Sequence, residues 1–177
     1  GRIVYSTDEV AEAIKTADNW SGAVIAENQR YIWRRGRDSS MSVAGKVVLG
    51  EETLSGVAGS MERCLAALLQ KEGLSFDVGG RLAAGAGPAE VLGEAMPEAD
   101  IFNLTGLTVS EVLYYVNQGN PVLALGEGGE PLLIVGYDEL NVVLYYPQTN
   151  DTGRMGLNDS EDYFAAAGSV FVGYLKK

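Results

Sequence analysis

The sequence predicts an α+β domain in which helices come first and an antiparallel sheet comes late. Residues 119–147 contain three dense apolar runs, 121–125, 132–137 and 142–146, parted by the short turns G-E-G-G-E and D-E-L-N. Runs of this kind suit strands at the centre of a sheet, and turns this short suit antiparallel hairpins. Ahead of them, Met61, Cys64, Leu65, Leu68 and Leu69 fall on one face of a helix. The two periodicities are segregated along the chain rather than alternating, which is the α+β pattern. A length of 177 residues with 46% hydrophobic content is enough for one compact domain with a real core.

Taken in order, residues 2–5 suit a short strand. Ser6 and Glu9 fit a capping box for a helix whose apolar positions are Val10, Ala13, Ile14 and Ala17. Residues 23–26 and 31–33 read as a hairpin turning at 27–29. The next tract places Arg30, Arg34, Arg35 and Arg37 in an otherwise acidic chain. They form a charge-neutralising face or a contact surface for an acidic neighbour. Trp20 and Trp33 are expected to be packing residues. A strand is predicted at 43–49, and a helical region begins at 51–54.

A helix follows at 60–71, with Gly73 as its stop. Residues 76–87 form a Gly/Ala-rich connection containing a short helix, and 88–95 a helix with Pro in its first turn. A strand is expected at 101–104. Thr108 and Glu111 make a capping box for a helix that buries Val109, Val112, Leu113 and Val116 and ends at Gly119. After the three late strands, 148–158 reads as a polar loop, 159–166 as a helix and 169–175 as the last strand. Residues 1–50 are expected to be an annex packed on a core of 51–177. Gly1 reads as a residue left by tag removal, and the chain as a piece of a longer protein.

Composition removes several function classes. A net charge of −11 and a pI near 4.4 argue against nucleic acid and anionic membrane as partners. No apolar run approaches the ~20 residues that would insert in a bilayer. The single cysteine, Cys64, excludes an intramolecular disulfide, and its place inside an apolar helical stripe marks it as a core residue. The chain has no histidine. That excludes Ser-His-Asp and Cys-His catalysis within it and leaves no usual catalytic zinc site. The run at 126–130 fails the spacing of a phosphate loop, and 150–162 fails that of a calcium loop. Spacing singles out no pair of carboxylates for glycoside hydrolysis. No cofactor or metal is called for.

A helix opening at Gly59-Ser60, a later helix running into G-N-P-V, then P-L-L-I-V-G-Y-D, a turn and V-V-L-Y-Y-P, stand in a diagnostic order. This order resembles the papain-like cysteine peptidases of the bacteriocin-leader-processing type and their peptidase-like relatives. The resemblance covers about residues 54–175. It implies a papain-like fold in which Ser60 stands where the family has its nucleophilic Cys. Glu130, or less well Pro131, stands where the His belongs, and Tyr146 where the Asp precedes Pro147. It also implies a cleft bordered by Ser60, Glu130, Tyr137 and Tyr146. With those positions changed, the resemblance points to a catalytically inactive binding or structural module of a larger bacterial protein, secreted or at the cell surface. Its partner would be an extended peptide or another domain of that protein. The alternative is an atypical hydrolase using Ser60 or Cys64 with Glu130 as base.

Overall fold

The computed structural model describes residues 9–20, 22–26, 28–36 and 47–177, and the backbone of 41–42. It opens with α1 (Val10–Asn19) and a hairpin of β1 (Ala23–Ile25) and β2 (Tyr31–Arg34). The short β3 (Met41–Ser42) is followed by α2 (Glu51–Ser55), α3 (Ser60–Lys71), α4 (Val78–Ala83) and α5 (Pro88–Ala95). Then come β4 (Ala99–Asn103), α6 (Val109–Asn117), β5 (Val122–Leu125), β6 (Pro131–Tyr137), β7 (Asn141–Tyr146) and β8 (Asp151–Gly156). The chain ends with α7 (Leu157–Ala166) and β9 (Phe171–Lys176). The expected α+β class, with helices packed on a late antiparallel sheet, is the architecture found.

Among the described residues the sheet has seven strands, in the order β4-β9-β5-β6-β7-β8, and β3 also pairs with β6. All of these pairings are antiparallel. β5 pairs with β6 from Leu125↔Pro131 to Val122↔Ile134, and β3 then takes up Gly136 and Tyr137. All seven residues of β6 are buried, so this strand is covered on both faces. α3 and α6 both pack on it. Their apolar faces explain why: α3 buries Cys64, Leu65, Leu68 and Leu69, and α6 buries Val109, Val112, Leu113 and Val116.

The end signals of α6 and α3 act as expected. The Thr108 hydroxyl accepts from the Glu111 amide at 3.1 Å while the Glu111 carboxylate accepts from the Thr108 amide at 2.9 Å. Gly119, at φ +88°, turns the chain out of α6, and Gly73, at φ +72°, follows α3.

Four local expectations are corrected. The described part of α1 begins at Val10 with Glu9 as its N-cap and no side-chain cap bond; Ser6 and the strand expected at 2–5 lie outside the described residues. Of the strand expected at 43–49, residues 43–46 lie outside the described residues and 47–49 form no strand. Instead the Asn150 side chain accepts from the Leu49 amide and donates to the Leu49 carbonyl, both at 2.8 Å, and so pairs that backbone as a strand would. The predicted loop at 148–158 contains β8, which pairs along the whole of β7. Its sequence, D-T-G-R-M-G, carries little apolar signal because β8 is an edge strand. Trp33 is packed in the core at 2% exposure, whereas Trp20 is 77% exposed.

The arginine hairpin is docked by its own chain. Arg30 pairs with Asp100 of β4 at 2.6 Å, and Arg35 with Asp18 of α1 at 3.1 Å. Arg34 lies over the ring of Tyr31. Trp33 donates to the Glu111 carbonyl and Tyr115 to the Ile32 carbonyl, each at 2.9 Å. These contacts realise the charge-neutralising reading for Arg30 and Arg35; Arg37 lies outside the described residues.

Candidate functional site

Three chain segments meet at one end of the central strands. Gly59, in extended conformation, is the N-cap of α3, and Ser60 is its first, half-buried residue. One turn on, Arg63 donates to the Pro147 carbonyl at 3.2 Å, which ties the start of α3 to the end of β7. The register Leu133↔Tyr145 carries Pro131 opposite Pro147 and Glu130 opposite Gln148. Accordingly Gln148 Nε2 donates to Glu130 Oε2 at 3.1 Å. The start of α3, the start of β6 and the end of β7 are thus joined through side chains.

Inside this junction lies Cys64, fully buried. Burial, and after it the charge of Glu130, pushes its thiol pKa well above the ordinary range. Next to it is Tyr145, whose hydroxyl donates to Asn150 Oδ1 at 2.8 Å. The Tyr145 pKa is pushed up to about 12 by burial and by Cys64, against the lowering charge of Arg63. The Arg63 Nε is buried without a hydrogen-bond partner among the described residues.

Of the four cleft residues that the resemblance implied, the structure brings Ser60 and Glu130 to this end through Arg63 and Gln148. Tyr146 ends β7 here, but its side chain points away from Cys64. Successive strand residues face opposite sides, and Tyr145 takes the Cys64 side. The Tyr146 ring covers Gly153 of β8 so closely that a Cβ there would lie 3.1 Å from it. Tyr163 of α7 is a further neighbour, and burial and its charge raise the Tyr146 pKa. Tyr137 is not part of this junction. It sits at the opposite end of β6, about 20 Å along a strand of this length. Its side chain is buried and its hydroxyl donates to Asn117 of α6.

A β-bulge in β6 sets the register between β6 and β7 at this end. Next to the turn, Tyr137 pairs with Val142 and Gly136 with Val143, a register that would set Leu133 opposite Tyr146. Between Ile134 and Gly136 the register shifts by one, so Leu133 meets Tyr145 instead. Sequence reasoning also missed Arg63, Gln148 and Asn150. Of these, Gln148 could be found only from the shifted register. Arg63 and Asn150 carry no signal beyond an isolated polar residue.

Chemically, this junction offers a hydroxyl at a helix start, a carboxylate and a thiol. A thiol with a raised pKa is a poor nucleophile, and a serine hydroxyl needs a base in contact with it. Among the described residues no group of three His, Cys, Asp or Glu side chains could hold a metal ion. No helix among the described residues is long and apolar enough to cross a membrane. A concavity of about 150 Å³ lies elsewhere, between α1, β2 and α6, and another of about 280 Å³ lies beside Leu69, Leu74 and Phe76.

No family model matches the chain, and no curated protein matches it significantly. Among solved structures, the chain is similar to a crystal structure described as a candidate C39-like peptidase from Bacillus anthracis. The match has a TM-score of 0.57 at 17% identity and covers 67% of this chain and 89% of the other. The fold is papain-like. At that identity the likeness establishes the fold alone. It supports a peptidase-like architecture and does not single out the bacteriocin-leader-processing branch that the sequence resembles.

Proposed function

We propose that this chain is a papain-like domain without peptidase activity that serves as a binding or structural module of a larger protein. Its occupant is an extended peptide or a neighbouring domain, held at the junction of α3, β6 and β7. The observation that carries the reading is the state of Cys64. The one thiol of the chain is buried, is kept protonated by burial and by Glu130, and has no imidazole to activate it. Ser60 is better exposed, but an alcohol requires a general base of suitable pKa in hydrogen-bond reach, and the Glu130 carboxylate is engaged by Gln148. Strand pairing and side-chain pockets can hold a peptide without any of that chemistry.

The test is cleavage of a diverse peptide library, read by mass spectrometry, for the wild type, Ser60→Ala and Cys64→Ala. The proposal expects no cleavage products from any of the three. Cleavage by the wild type that disappears in one variant would name a nucleophile and overturn it.

A further inference from the structure

The cavity of about 150 Å³ between α1, β2 and α6 shares no lining residue with the junction around Cys64. Its walls carry two carboxylates, Asp18 and Glu111, and two guanidinium groups, Arg34 and Arg35, so their formal charges cancel. Asp18 and Arg35 pair with each other at 3.1 Å. The other two charges are left over. Glu111 is 5% exposed, and one of its oxygens is taken by the Thr108 amide at 2.9 Å and hydroxyl at 3.2 Å. No Lys or Arg forms an ion pair with it among the described residues. A carboxylate buried this deeply is costly to ionise without a cation beside it. Arg34 likewise has no carboxylate partner among the described residues; its guanidinium rests 5.5 Å from the centroid of the Tyr31 ring.

Trp33 and Tyr114 complete the wall, with ring centroids 6.5 Å apart and planes inclined at 55°. The Trp33 ring is fixed by its indole N–H, which donates to the Glu111 carbonyl at 2.9 Å. Aromatic rings and a carboxylate on one cavity suit an ammonium group, through cation–π attraction and charged hydrogen bonds. A guanidinium on the same cavity suits a carboxylate. We propose that this cavity binds a small zwitterion, an α-amino acid of the size of glycine or alanine, with its ammonium at Glu111 and its carboxylate at Arg34. The size follows from the volume. A cavity of about 150 Å³ holds benzene, with about six non-hydrogen atoms, and glycine and alanine have about as many. The charge follows from the walls, because a zwitterion answers both leftover groups, whereas a bare cation or a bare anion answers one. This ligand is distinct from the extended peptide proposed for the junction of α3, β6 and β7, and the two readings stand or fall separately.

The chain has two tryptophans; Trp33 lines the cavity, and Trp20 is exposed and does not. Their two indole N–H signals in a proton–nitrogen NMR spectrum therefore report the site and an internal control. Glycine and alanine, titrated separately into the wild type, are expected to move the Trp33 signal saturably and to leave that of Trp20 in place. Acetate and methylammonium carry one end each and should bind at least about tenfold more weakly than glycine, since each forgoes a charged contact. Glu111→Gln keeps an oxygen for Thr108 but removes the charge, and should weaken glycine binding by about tenfold or more. Arg34→Gln alters an exposed side chain, so it tests the other end without disturbing the core, and the same loss is expected. A Trp33 signal that neither amino acid moves would overturn the proposal. So would acetate or methylammonium binding as tightly as glycine, or glycine affinity unchanged in either variant.

Discussion

Asn150 shows how much one side chain can organise here. Its amide replaces a strand partner for Leu49 and at the same time receives the Tyr145 hydroxyl beside Cys64. Its backbone sits at φ +49°, in the left-handed region that Asn tolerates better than Ala. Asn150→Ala removes all three hydrogen bonds and adds backbone strain. At about 1 kcal/mol for each partly buried bond and about 1 kcal/mol for the strain, the expected loss is about 4 kcal/mol. Asn150→Gly relieves the backbone but not the bonds, and should still lose about 3 kcal/mol. Urea denaturation of both variants checks the order. A variant pair as stable as the wild type would mean that Leu49 and Tyr145 do not depend on this amide. Nothing in Q-T-N-D announces the role, because the residue that needs the amide is 101 positions away.

Among the elements, α3 is the one that the sequence made plainest. Its bounds, apolar face and glycine stop all follow from spacing, and α5 and α6 were equally legible through Pro88 and the Thr108–Glu111 box. What spacing did not reveal is what closes the end of α3. Glu72 follows the helix with its side chain nearly buried and receives Lys71 at 2.8 Å, Lys176 at 3.1 Å and the Tyr174 hydroxyl. Burial alone would raise its pKa; the bonds from Lys71, Tyr174 and Lys176 together outweigh burial and lower it. A lowered carboxyl contributes stability above its unfolded pKa and loses it as pH falls through the folded value. Glu72→Gln should therefore cost on the order of 2 kcal/mol at neutral pH, in the range of charged hydrogen bonds, and the cost should vanish in acid. Thermal or urea midpoints of both proteins across that range check it, and a cost independent of pH would contradict it. Strands β8 and β3 were illegible for a different reason. An edge strand needs no apolar alternation, and a two-residue strand has no period at all.

For the whole molecule, the sheet and its helices were readable because apolar runs record burial. The candidate site was readable only in part. Ser60 and Glu130 lie at one end of the sheet, since the ends of α3, β6 and β7 are set by turns and caps. Tyr145 and not Tyr146 takes the Cys64 side, because successive residues of β7 face opposite sides of the sheet. The resemblance included Tyr137 because V-G-Y-D is conspicuous in sequence, although that tyrosine lies at the other end of the strand. The central claim is that this papain-like junction holds no activated nucleophile. Its most direct test is intact-mass measurement of the native protein after exposure to a fluorophosphonate and, separately, to a thiol-reactive electrophile. No adduct is expected on Ser60 and none on Cys64 until the protein is unfolded, when Cys64 takes one equivalent of the thiol reagent. Rapid stoichiometric labelling of either residue in the folded protein, lost on denaturation, would contradict it.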